Sequence, residues 1–202
     1  LSLLVSALSP VWAADKIRVG FLATASLAPT IGVSKEIRAG FDLAIKELGG
    51  KLGGLPAEVI FGDDQGNPEI GKQVFDRMVK RDKIDLVTGT VASGVVYAIA
   101  PQAAQQQILF INTNVGPHDL VGAKCSPYYY NTGWHIEAVN EAMGKHLTEA
   151  GAKKVYVIGA GVPVGKEHLE AFKKTFKGTI AGETYFKPQT LDFSAELAQI
   201  RA

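Results

Sequence analysis

Residues 84–100 read IDLVTGTVASGVVYAIA, and the order of residue types within them decides the fold. Ile84 to Thr88 form a short apolar run with little alternation, the pattern of a strand covered on both faces. From about Ser93 the chain continues as a short apolar helix. Gly89 to Ala92 hand the strand over to the helix through small residues, and such a junction presents something at its tip. Thr90 and Ser93 offer hydroxyls there, and the first turn of the helix offers amides with no intrahelical acceptor. Two readings stand side by side. The junction is a neutral receptor for a carboxylate, or Ser93 caps its own helix.

Working outward, the same strand-to-helix step recurs. Strands are expected at 16–22, 57–61 and 108–111. Helices are expected at 33–48, with Ile37, Phe41, Ala44, Ile45 and Leu48 on one face, and at 68–80, with Val74, Met78 and Val79 turned inward. GGKLGG at 49–54 stops the first helix, and Pro68 suits a first helical turn. Short apolar strands separated by helices predict a parallel sheet covered on both faces. After Gly116 the rhythm changes, and YYYNTGW at 128–134 marks a lobe boundary. Beyond it the pattern predicts a helix at 137–150 facing inward through Val139, Met143, Leu147 and Ala150. A strand follows at 154–158, then a helix at 166–176 with Leu169, Phe172 and Phe176 on one face. A strand at 179–186 and a helix from 193 complete the sequence. The fold class is therefore α/β with two lobes, 14–130 and 131–202. The second stops inside a helical pattern at Ala202, so the chain reads as a fragment.

Composition sets outer limits. Of 202 residues, 47% are apolar, as in a globular protein, and 21 Lys+Arg against 20 Asp+Glu leave a net charge of +1. That balance argues against a nucleic-acid surface. The opening LSLLVSALSPVWAAD is apolar, breaks at Ser9-Pro10, and then offers small residues around Ala13. It reads as the end of a secretory signal, 1–13, with the mature chain starting at Ala14 and exported. The run is too short to span a bilayer. Cys125 has no partner cysteine in the chain.

No catalytic constellation emerges. GAGVPVG at 159–165 follows a strand and precedes a helix, as a dinucleotide fingerprint does. Its third glycine is one place late, however, and Pro163 restrains the backbone where amides should face phosphate. Asp63, Asp64, Asn67 and Glu69 lack the spacing of a calcium loop and fit a strand end and helix cap better. His118, His135, His146 and His168 lack zinc-protease spacing. No cofactor and no metal are expected.

KIRVGFL, GGKLGG, DDQGNPE, DLVTGTVASGVVYAIAP and the closing DFSAELAQIRA occur in that order. Their succession resembles the leucine/isoleucine/valine-binding family of periplasmic ABC-transporter receptors, with the type I binding-protein fold. The resemblance implies two α/β lobes joined by three crossovers and closing on a ligand, the first crossover at 128–134, with a late segment completing the first lobe. It places the carboxylate-binding serine on Ser93, in the junction where Thr90 and the Gly94 amide also stand as candidate contacts. A ligand-stacking aromatic of the family falls near Ile31, here aliphatic. A small-residue turn falls on Asn114, Val115 and Gly116, and a second-lobe aromatic falls near Val164. Trp134 and the tyrosines 128–130 flank the hinge, compatible with an aromatic ligand. The acidic residue that holds a ligand ammonium belongs to a part beyond this sequence. The implied function is a periplasmic receptor, monomeric when full length, that binds a small amino acid of branched-chain type or a related carboxylate. It would deliver that ligand to an inner-membrane ABC permease without bond chemistry. The alternatives are a receptor of the same fold for an aromatic acid, amide or urea, a sensory domain of this fold, and a dinucleotide-dependent enzyme using 159–165.

Overall fold

The computed structural model describes residues 15–27, 30–114, 116–187 and 190–201. The expected signal segment at 1–13 and the position of Val115 lie outside them. The first lobe runs β1 (Ile17–Ala23), α1 (Thr30–Glu47), β2 (Lys51–Leu52), β3 (Leu55–Asp63), α2 (Pro68–Lys80), β4 (Leu86–Gly89), α3 (Ser93–Gln105), β5 (Leu109–Asn112), α4 (His118–Val121) and β6 (Tyr129–Asn131). The second runs α5 (Ile136–Glu149), β7 (Lys154–Ala160), α6 (Pro163–Thr175), β8 (Thr179–Phe186) and α7 (Ser194–Arg201). The first sheet has the order β2-β3-β1-β4-β5-β6, and β7 pairs with β8 in a second sheet. Apart from β2, which is antiparallel to β3, every pairing is parallel. The two-lobed α/β architecture with helix-flanked parallel sheets is that of a type I periplasmic binding protein.

Successive residues of a strand face opposite sides, so β1 feeds two layers. On one side Leu22 joins Val87 and Phe110 under Phe75 and Met78 of α2 and Val95, Val96 and Ile99 of α3, all essentially inaccessible to solvent. Each such side chain stabilises the fold by roughly 1.5–3 kcal/mol. On the other side Phe21 meets Phe41 of α1 with ring centroids 5.3 Å apart, and the Arg38 guanidinium lies 5.1 Å from the Phe21 ring centre. Tyr129 brings β6 into the core, edge-on to Phe110 at 5.2 Å, whereas Tyr130 is exposed.

Three sequence expectations change. GGKLGG does more than stop α1: Gly53 and Gly54, at φ +56° and +86°, form a two-residue hairpin turn that pairs Leu52 with Leu55. The face expected for α1 is only partly covered, for Ala44 and Leu48 are exposed. The largest correction concerns α5. Val139, Met143 and Ala150 are exposed, and the packed face carries Ile136 and Gly144. A Cβ at Gly144 would stand 2.4 Å from Thr175 Oγ1 and 2.6 Å from the Phe172 carbonyl. Close approach of α6 thus selects the small-residue face of α5 over its apolar stripe. The inward face expected for α6, with Leu169, Phe172 and Phe176, is buried.

Candidate functional site

A cleft of about 460 Å³ opens between the lobes, within the range of small-molecule sites. Its walls follow a single rule: the lining residues lie at or just beyond the carboxyl ends of parallel strands. Leu27 follows β1, Gly66 and Pro68 follow β3, Val91 to Gly94 follow β4, Ala160 ends β7 with Val162 to Val164 after it, and Phe186 ends β8. Thr30, at the start of α1, also contributes. Among the described lining residues none carries a charged side chain.

The strand–helix junction is held from behind. Gly89 adopts φ +104°, and a Cβ there would meet the Leu22 carbonyl at 2.3 Å. Thr90 follows at φ +35°, an uncommon conformation for a β-branched residue. Its amide donates to the Leu22 carbonyl and its hydroxyl to Asn112 Oδ1 at 2.9 Å. Asn112 in turn donates to the Tyr129 hydroxyl and to Asn131 Oδ1. Burial pushes the Tyr129 phenol up to about 12. Thr90 is therefore a fully buried support behind the cleft. Asn114 serves similarly, its side-chain amide donating to the Val91 carbonyl at 3.3 Å.

Three helices with described caps begin at the cleft, and their first residues differ in what they offer. Pro68 of α2 and Pro163 of α6 have no amide hydrogen, and Val162, the cap of α6, makes no side-chain hydrogen bond. The next donors of α2, Glu69 N and Ile70 N, are taken by the side chain of its cap, Asn67. The cap of α3 is Ala92, which makes no side-chain hydrogen bond, and Ser93 is the first helical residue. Ser93 is thus not the cap that one reading made it. Its hydroxyl and the Ser93 and Gly94 amides stand at the positive end of an uncapped helix, on the cleft wall.

Of the other expected residues, Gly94 and Val164 line the cleft, while Ile31 is half-buried next to Thr30 and does not. Trp134 is 54% exposed and Gly116 pairs with its carbonyl at 3.0 Å, so both belong to the crossover. Sequence reading missed Leu27, Pro68, Val162 and Phe186; the strand-end rule finds them once the parallel topology is known. In the 159–165 turn, the Gly161 amide donates to the Phe186 carbonyl and the Val162 amide to the Ala160 carbonyl. A Cβ at Gly165 would lie 2.0 Å from the Ala160 carbonyl. Gly165 lets α6 pack on its strand, and the Gly161 and Val162 amides are committed within the protein. Beneath the cleft, Asp64 accepts from the Thr24 hydroxyl and the Gly66 amide, both at 2.7 Å, and burial holds its carboxyl above the usual range.

A cleft between two parallel α/β lobes, walled by strand ends and by the starts of α3 and α6, neither of which has a side-chain cap, defines a two-lobed ligand-binding protein. Residues 16–202 match the family described as Periplasmic binding protein, and the chain belongs to that family. The family and fold are those of binding proteins, not enzymes. The chain is 24% identical over 192 residues to Leu/Ile/Val-binding protein homolog 6 of Brucella abortus (strain 2308), covering 93% of this chain and 48% of that protein. It is 25% identical over 201 residues to Leu/Ile/Val-binding protein BraC3 of Rhizobium johnstonii, covering 97% and 54%. The chain thus spans about half the length of these curated relatives. It is also similar to the solved structure of an ABC transporter solute binding protein from R. palustris in complex with benzoate. There the identity is 28% and the TM-score 0.86, over 92% of this chain and 52% of the other.

Proposed function

We propose that the full-length protein is an extracytoplasmic receptor that hands a small organic carboxylate to an ABC permease. The observation that carries this reading is the uncapped start of α3, where Ser93 faces a cleft otherwise neutral and apolar. A carboxylate seats there against the Ser93 hydroxyl and the first-turn amides, and the body of the ligand lies on Leu27, Val91, Val164 and Phe186. Closure of the lobes removes both from water, and no bond is made or broken.

The ligand class we favour is an aromatic monocarboxylate. The described walls of the cleft are apolar, with the Phe186 ring among them, and suit a flat hydrocarbon body. Similarity to the benzoate-bound receptor supports this reading. The names of the curated relatives favour a second one, a branched-chain amino acid. Calorimetry of the full-length protein with benzoate, 4-hydroxybenzoate, isoleucine and NAD separates the readings. The expected result is micromolar or tighter binding of a benzoate, roughly −8 kcal/mol. Isoleucine binding without benzoate binding would select the amino-acid receptor, and NAD binding alone would remove the receptor reading. Periplasmic export predicts a mature chain beginning at Ala14, to be read by N-terminal sequencing of protein from its host.

A further inference from the structure

Away from the cleft, the crossover brings together three metal-binding side chains that are scattered in sequence. His118 opens α4 in the first lobe, while His135 caps α5 and Glu137 lies in its first turn. One donor atom from each lies within 4.8 Å of the other two. His118 Nδ1 is 3.0 Å from Glu137 Oε2, and the imidazoles stand edge-on with centroids 6.2 Å apart. We propose that His118, His135 and Glu137 form a site for one divalent transition-metal ion of the zinc type, bridging the two lobes at the crossover.

The donor set is two imidazole nitrogens and one carboxylate oxygen. It suits zinc, nickel or cobalt, and not calcium or magnesium, which require several oxygens. Ligands about 2.0–2.2 Å from a tetrahedral zinc stand roughly 3.5 Å apart. The His118–Glu137 pair at 3.0 Å must open slightly, and no separation within 4.8 Å has to close by more than about 1.3 Å, within reach of side-chain rotation. The backbone on which the ligands sit is fixed on each side. Gly116 bridges to His135 and its amide donates to the Trp134 carbonyl at 3.0 Å, while the His118 amide donates to Glu167 Oε2 at 3.0 Å. The His118 side chain is 50% exposed, which leaves an entry path and room for water in the fourth position.

Glu137 also pairs through Oε1 with Lys174, which reaches Glu141 as well. The metal would take Oε2 and leave that pair in place. The shared carboxylate is a weaker donor than a dedicated one, so micromolar affinity follows in place of the far tighter binding of a four-ligand structural zinc. Because the ligands come from both lobes, the ion would fix the crossover and act on how the lobes sit relative to each other.

Titration calorimetry of ZnCl₂ into tag-free, chelator-treated full-length protein tests this, with MgCl₂ as the control. One zinc per chain is expected. His118→Ala and His135→Ala should each weaken it by roughly 10- to 100-fold or more. His146→Ala, remote on α5, should leave it unchanged, and magnesium should give no binding. With CoCl₂, the visible absorption of a tetrahedral cobalt site should appear in the wild type and vanish in His135→Ala. Circular dichroism verifies that each variant is folded. Absence of one-to-one zinc binding in the wild type overturns the proposal. So does binding that survives both substitutions, or that is lost only in His146→Ala.

Discussion

Tyr97 of α3 donates its phenolic hydrogen to Glu167 of α6, so one carboxylate ties the first lobe to the second. The other oxygen of Glu167 accepts from the His118 amide at 3.0 Å. Both acceptors of a second-lobe residue are thereby satisfied by the first lobe, on the same side of the molecule as the crossover. Burial, reinforced by the neighbouring carboxylate, raises the Tyr97 phenol well above its ordinary range, so it remains a donor at any physiological pH.

Tyr97→Phe keeps the ring and removes that donor. A hydrogen bond to a charged group contributes about 1.5–3 kcal/mol when buried, and this half-buried one about 1 kcal/mol. If the contact belongs to the ligand-holding arrangement, carboxylate affinity should fall about fivefold by calorimetry. Unchanged affinity would mean that the lobes keep their positions without it.

The packing of α5 makes a sign-reversed prediction. Gly→Ala inside a helix normally stabilises by up to about 1 kcal/mol. At Gly144 the added methyl meets Thr175 Oγ1 and the Phe172 carbonyl, one of them backbone. Gly144→Ala should therefore destabilise by about 1–3 kcal/mol and lower the melting temperature by several degrees. A raised melting temperature would show that α5 and α6 are not in close contact.

This helix also shows where sequence reading reaches its limit. Hydrophobic periodicity assumes that the most apolar face is the packed one. That holds for α6, where Leu169 and Phe172 fill space, and fails for α5, where a glycine admits the neighbouring helix and leaves Val139 and Met143 exposed. Pro68 and Asn67 gave the start of α2 correctly, because a cap and a proline act within one turn. The cleft was legible at Ser93 and Gly94, which sit on one continuous stretch. It was not legible at Phe186 or Leu27, which join it only through the order of strands in space. His118 and Glu137 are likewise invisible as a pair until the crossover folds back.

Thr90 tests the division between support and site. Its hydroxyl donates to Asn112 at the centre of a buried network. Thr90→Val preserves shape and β-branching and removes the hydrogen bond that Thr90 donates to Asn112 Oδ1. The expected cost is about 1–2 kcal/mol of stability, read by denaturant titration, with ligand affinity within about twofold. A large affinity loss with unchanged stability would move Thr90 into the cleft.

His168, half-buried on α6, supplies a pH dependence. Burial holds its imidazole below its ordinary value of 6.5, and neighbouring Glu167 only partly opposes this. The folded state thus binds the proton less readily than the unfolded chain. The contribution is fully present above pH 6.5 and is lost as pH falls through the lowered folded value. Melting temperature should decline as pH falls from 6.5 to the lowered folded value, and His168→Gln should flatten this part of the profile. An identical slope in the variant would assign the effect to other groups.

Ser93→Ala distinguishes a ligand contact from a structural hydroxyl. Were Ser93 the cap of α3, its loss would cost about 1 kcal/mol of stability and little affinity. The cap position belongs to Ala92, and Ser93 is the first residue of the helix, 5% exposed on the cleft wall. Removing its hydroxyl therefore leaves the ligand-free protein nearly as stable as before. In the proposed complex, the carboxylate would lose one charge-assisted hydrogen bond while the Ser93 and Gly94 amides remain. That interaction is worth about 1.5–3 kcal/mol, so affinity should drop by about 10- to 150-fold. Ligand titration and thermal melting of the same preparation give both readouts. Affinity held within twofold, together with a lower ligand-free melting temperature, would return Ser93 to a structural role and place the carboxylate elsewhere in the cleft.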